Sequence, residues 1–121
     1  MDAKGGPLAK DIDDARSRME KGQRLFADEK FVEAAAEFTA AYEKHRFSAF
    51  LFNAAVAAER AADREKAIDI YTRFLKAEPN APDRADIEKT IERLKKETAA
   101  QTGETSASSQ KAEIKSLIFV E

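Results

Sequence analysis

Asn53-Ala54-Ala55-Val56-Ala57-Ala58, followed closely by Ala62-Asp63-Arg64-Glu65-Lys66-Ala67-Ile68, is the stretch on which the fold turns. Alanine loses no side-chain entropy in a helix, so both runs read as helical. Ala62-Asp63 between them leaves room only for a tight reversal, which makes the flanking helices antiparallel neighbours. Asp63 stands where a side-chain oxygen can cap the second helix, and Ser48 is the matching cap candidate ahead of the first.

Outward from this hairpin, apolar residues keep recurring at steps of three and four, the helical period. Phe50, Leu51, Ala54, Ala55 and Ala58 mark the helix before the turn; Ala67, Ile68, Tyr71, Phe74 and Leu75 mark the one after it. Upstream lie a helix with Met19, Leu25 and Phe26 and another with Phe31, Ala34, Ala35, Phe38, Ala41 and Tyr42, joined through Ala27-Asp28-Glu29-Lys30. Downstream, past Pro79-Asn80-Ala81-Pro82, a fifth helix carries one narrow stripe, Ile87, Ile91 and Leu94. The predicted organisation is a frayed N-terminus over 1–10, a helical domain over 11–100, a flexible linker over 101–111 and an apolar, strand-like segment over 112–121. The linker has no large apolar side chain to offset the entropy of ordering. The last segment, with Ile114 and Leu117-Ile118-Phe119-Val120, has the β-branched and aromatic character of a strand.

The helical zone repeats. A shift of 33 residues places Leu25 on Ala58, Ala34 on Ala67, Phe38 on Tyr71 and Tyr42 on Leu75, with Gly22 on Ala55. The same shift again places Ala54, Ala58 and Ala61 on Ile87, Ile91 and Leu94. A helix-pair unit of this kind leaves an apolar face that only a neighbour can cover. The fifth helix covers the last face and turns Asp86, Lys89, Glu92, Arg93 and Lys96 to water, as a cap does.

These features resemble the tetratricopeptide repeat family, whose helix–turn–helix unit has a period near 34 residues. The resemblance rests on the small residues Gly22 and Ala55, the pairs Ala34 with Phe38 and Ala67 with Tyr71, and Pro79 at the exit of the second unit. Arg46 stands at the first unit's exit, and Arg18 and Leu51 hold the sites where the family carries a large aromatic. The implied fold is all-α: two helix–turn–helix repeats plus a C-terminal capping helix, a fragment of a right-handed solenoid. The exit segment followed by a linker is also similar to bacterial envelope proteins in which a β-domain comes next.

Composition narrows the function. With 21 Lys and Arg against 23 Asp and Glu in 121 residues, net charge −2, there is no basic excess for a nucleic-acid backbone. No apolar run approaches the roughly 20 residues of a membrane span. Met1-Asp2-Ala3-Lys4-Gly5-Gly6 lacks the apolar core of a secretory signal. The expectation is a soluble chain, cytoplasmic as given and periplasmic or envelope-associated if a leader has been removed. There are no cysteines, so disulfides, thiolate metal sites and cysteine nucleophiles are excluded. The one histidine, His45, sits among Glu43-Lys44-His45-Arg46 at a helix end, where a cation complements the helix dipole. Asp11, Asp13 and Asp14 lack the Gly-bearing loop and terminal Glu of a calcium hand. Gly5-Gly6 precedes no strand and makes no phosphate loop. The expectation is no enzyme, no metal and no cofactor.

Recognition of a protein or peptide remains. In the resembled family the first helices of successive units line a concave groove. The resemblance implies a lining of Arg16, Met19, Gln23, Phe26, Phe52, Asn53, Val56 and Glu59, continued by Ala85 and Lys89. Met19, Phe26, Phe52 and Val56 would form an apolar floor for an extended peptide or an amphipathic helix. One subgroup of the family grips the C-terminal carboxylate of heat-shock chaperones; only Asn53 fits its pattern, with Met19, Gln23, Pro82 and Asp86 at the other four places. The predicted function is a non-enzymatic adaptor or scaffold. The alternatives are a self-associating assembly unit, or the front of a larger bacterial envelope protein. A second candidate element is Leu117-Ile118-Phe119-Val120, left in water an aggregation hazard and therefore expected to be covered: either a strand of a β-domain that comes next, or a linear motif that docks into a groove, its own or another copy's.

Overall fold

A computed structural model describes residues 7–102, with side chains over 9–100. Within that range the chain is all-α: five helices, α1 (Pro7–Ala27), α2 (Phe31–Lys44), α3 (Ser48–Arg60), α4 (Arg64–Ala77) and α5 (Arg84–Thr102), each packed on the next, with no strand among the described residues. The predicted linker from residue 103 onward and the apolar segment at 112–121 lie outside the described residues.

Local chemistry accounts for most helix ends. Helix α4 begins at the expected cap, where the Asp63 carboxylate accepts from the Lys66 N–H at 3.3 Å. The other expected cap is different. Phe47, with extended backbone and no capping side chain, precedes α3, and Ser48 is its first helical residue. The Ser48 hydroxyl instead donates to Glu78 at 2.7 Å and ties the start of α3 to the end of α4. Helix α1 starts at Pro7, inside the stretch expected to fray; a proline in a first turn leaves no N–H unpaired.

The two hairpin turns match hydrogen bond for hydrogen bond. In the α1–α2 turn, Lys30 N–H donates to Leu25 O at 2.8 Å and Glu29 N–H to Phe26 O at 2.9 Å. In the α3–α4 turn, Asp63 N–H donates to Ala58 O at 3.0 Å and Ala62 N–H to Glu59 O at 2.9 Å. Glu29 and Ala62, each with φ 62°, supply the left-handed residue that such a helix ending requires. Every one of these positions is displaced by the 33 residues found in the side-chain pattern, and so are the bounds of α2 and α4.

The core runs along the helix seams. Ala34, Ala41, Ala54, Ala55, Ala57 and Ala67 are wholly enclosed, surrounded by Phe38, Phe50, Leu51, Tyr71 and Leu94. Small residues permit this closeness. A Cβ on Gly22 would lie 2.9 Å from Phe38 Cε1, so α1 and α2 meet where only hydrogen fits. The stripe Ile87, Ile91 and Leu94 seats α5 as predicted. On α4 the inward residue is Ile70, whereas Ile68, expected in the core, is only half-buried. No helix among the described residues is long and apolar enough to cross a membrane.

Candidate functional site

Helices α1 and α3 lie on one side of the array and leave a cleft of about 300 Å³ between them, lined by Gln23, Phe26, Phe38, Phe52, Asn53 and Val56. The spacing explains the convergence. Gln23 and Phe26 are one turn apart on α1, and Phe52 and Asn53 are one turn from Val56 on α3, so the two sets line opposite sides of the gap. Phe38 comes up from α2 beneath them. Phe52 is held edge-on to Tyr71 and Phe74, with centroids 6.1 and 5.6 Å apart. Phe26 meets the Phe31 ring edge-on at 5.0 Å.

Polarity is placed sparingly. The carboxamides of Gln23 and Asn53 have no hydrogen-bond partner among the described residues, although Asn53 is half-buried. At one end the Arg60 guanidinium lies over Phe26 and Phe31, 5.4 and 4.8 Å from their centroids, with no carboxylate partner among the described residues. A second hollow of about 290 Å³ continues from Phe52 and Asn53 toward Phe47, Phe74, Ala81 and Pro82. Phe47 is 54% exposed there. The two hollows share Phe52 and Asn53, and the second is also lined by Ser48, Glu78 and Asp83.

The predicted lining divides. Gln23, Phe26, Phe52, Asn53 and Val56 are brought together. Met19 packs half-buried against the core and is not among the residues lining the cleft. Arg16 points outward and pairs with Asp13 at 3.1 Å. Lys89 and Ala85 are exposed on α5 and line neither hollow. Glu59 is a structural clasp: it accepts from the Tyr71 hydroxyl at 2.8 Å and from Arg93, joining α3, α4 and α5. Burial, then the Glu59 hydrogen bond and charge, raise the Tyr71 pKa above its ordinary value, with Arg93 opposing. Glu97, hydrogen-bonded by Arg64 and Arg93, has its carboxyl pKa lowered.

Phe38, Phe47 and Arg60 escaped the sequence reading. Phe38 reads from the sequence as core alone, and Phe47 and Arg60 fall at helix ends, where periodicity is silent; nothing in the spacing brings Arg60 to Phe26 and Phe31. His45 ends α2 as expected, its N–H donating to Ala41 O, and its ring stacks on Phe47. Asp13 and Asp14 are taken up by Arg16 and Lys10, and no cluster of metal-ligating side chains occurs among the described residues. No model of a known protein family, no curated protein and no solved structure matches the chain.

Proposed function

We propose that the chain is a tetratricopeptide-type helical array that binds an extended, apolar peptide in the α1–α3 cleft, acting as an adaptor without turnover. The observation that carries this reading is the pair of unpartnered carboxamides, Gln23 and Asn53, set in an otherwise apolar cleft. A carboxamide offers both a donor and an acceptor, the same pair a peptide backbone presents; Gln23 is exposed and Asn53 half-buried, so both are open to such a ligand. A ligand that satisfies both amides while covering Phe26, Phe52 and Val56 therefore gains on two accounts. The repeat assignment is supported by the 33-residue displacement shared by the two turns, the bounds of α2 and α4, and the aromatic positions Phe38 and Tyr71. Selection from a displayed peptide library is the test. Enriched sequences that are extended, apolar and dependent on Asn53 support the proposal; enrichment of nothing above background, or of sequences indifferent to Asn53→Ala, contradicts it.

A further inference from the structure

Charge is unequal at the two ends of the cleft. At the C-terminal end of α3, Arg60 follows Val56 by one turn on the same face. Its guanidinium lies over Phe26 and Phe31, with no carboxylate partner among the described residues. At the N-terminal end of α3, the hollow that shares Phe52 and Asn53 with the cleft is lined by Glu78 and Asp83. Neither acid has a cationic partner among the described residues; Glu78 is met by the Ser48 hydroxyl alone. Glu78 is also the C-cap of α4, where the negative end of the helix dipole disfavours an acid and a bound cation would relieve it. Between the two ends the lining carries Phe52, Val56 and Phe74 with the two carboxamides, and no charge. Arg60, Glu78 and Asp83 are all exposed, so both charged ends are open to a ligand.

We propose that the cleft selects a dipolar peptide of another protein: extended, apolar along its middle, with an acidic side chain at Arg60 and a basic one at Glu78 and Asp83. This rests on the peptide-binding reading above and names the charge pattern of the peptide. Helix α3 separates Ser48 from Arg60 by roughly 18 Å, at about 1.5 Å per residue. An extended chain advances about 3.3 Å per residue, so about six residues join the two charged ends. A carboxylate meeting Arg60 finds a guanidinium already resting on two rings, so little freedom is lost on pairing. A peptide charged alike at both ends meets repulsion at one of them, and the cleft discriminates against it. Either chain direction satisfies the pattern, because the charges sit on side chains.

The probes are three fluorescent hexapeptides with blocked ends and a shared centre, Val-Leu-Val-Leu. One carries Lys and Glu at its two ends, one Glu at both, one Lys at both. Each is titrated by anisotropy into the full chain at low and high salt, with light scattering on the chain. The Lys/Glu peptide is expected to bind about fivefold more tightly than either of the others at low salt, with a smaller margin at high salt. Arg60→Glu should make the doubly basic peptide the tightest, and Glu78→Gln with Asp83→Asn should erase the advantage of Lys/Glu over the doubly acidic one. These are surface replacements, and thermal melts of the variants confirm that they fold. Net charge −2 acting without a specific site favours the doubly basic peptide on the unaltered chain; that order overturns the proposal. A dimer of the full chain that Arg60→Glu dissolves assigns the cleft to a second copy and overturns it as well. So does failure of every peptide to bind, whether the cleft is idle or covered by another part of the chain. Equal binding of the three peptides that is lost on Asn53→Ala removes the charge pattern while leaving the peptide-binding reading in place.

Discussion

Three residues carry most of what is unusual about the chain. Gly22 is required by contact rather than by backbone angle, since any side chain there meets the Phe38 ring. Gly22→Val should destabilise by about 2–3 kcal/mol, the range for overpacking a closed seam, measured by urea unfolding. Ala62 has the opposite problem: its φ of 62° disfavours any Cβ. The left-handed conformation costs roughly 1–2 kcal/mol and the extra freedom of an unfolded glycine about 0.4–1, so Ala62→Gly should stabilise by about 0.5–1 kcal/mol. Tyr71 is buried, and its phenol keeps its proton in the folded chain beyond the pH at which an unfolded tyrosine loses it. Above about pH 10 the unfolded state therefore binds fewer protons, and this contribution to stability, complete below that pH, falls as pH rises. Tyr71→Phe should lose about 1–2 kcal/mol near neutrality and show a shallower decline above pH 10, read from unfolding at paired pH values. Tyr71→Ala, which empties the seam, should lose roughly 3–5 kcal/mol.

At the scale of elements, α5, like α1 at the other end of the array, has one main packing neighbour, whereas α2, α3 and α4 each have two. The stripe Ile87, Ile91 and Leu94 seats it, helped by the Arg64–Glu97 pair to α4 and the Arg93–Glu59 pair to α3. Exposed ion pairs add little on their own, so the stripe dominates. Amides of α5 should accordingly exchange with solvent through openings cheaper than those of α2, α3 and α4, and Leu94→Ala should widen that gap; uniform protection across all helices would contradict this picture. All five helices and the α5 stripe could be read from apolar periodicity, because burial imposes the helical period on the seams. Ser48 could not: a serine before an apolar run reads as a cap, and nothing local reveals that its hydroxyl reaches Glu78 on another helix. Met19 shares its α1 face with Gln23 and Phe26 one and two turns on, and spacing alone does not say how far along that face the cleft extends. Gln23, Asn53 and Val56 were placed by the repeat register, whereas Arg60 needed three-dimensional proximity to Phe26 and Phe31 from two other helices.

For the whole molecule, the proposed peptide grip of the α1–α3 cleft rests on the Gln23 and Asn53 carboxamides. Neither side chain has a partner within the described residues, so replacing both with alanine should leave the melting temperature nearly unchanged; alanine is also the better helix former at each site. Loss of two peptide hydrogen bonds at about 0.5–1.5 kcal/mol each should weaken binding by roughly tenfold or more. The direct test is calorimetric titration of one library-selected peptide into the chain with and without Gln23→Ala/Asn53→Ala, alongside thermal melts of both. A weakened affinity with superimposable melts is expected. An unchanged affinity, or a loss of binding that tracks a loss of folding, would mean that the carboxamides do not hold the peptide.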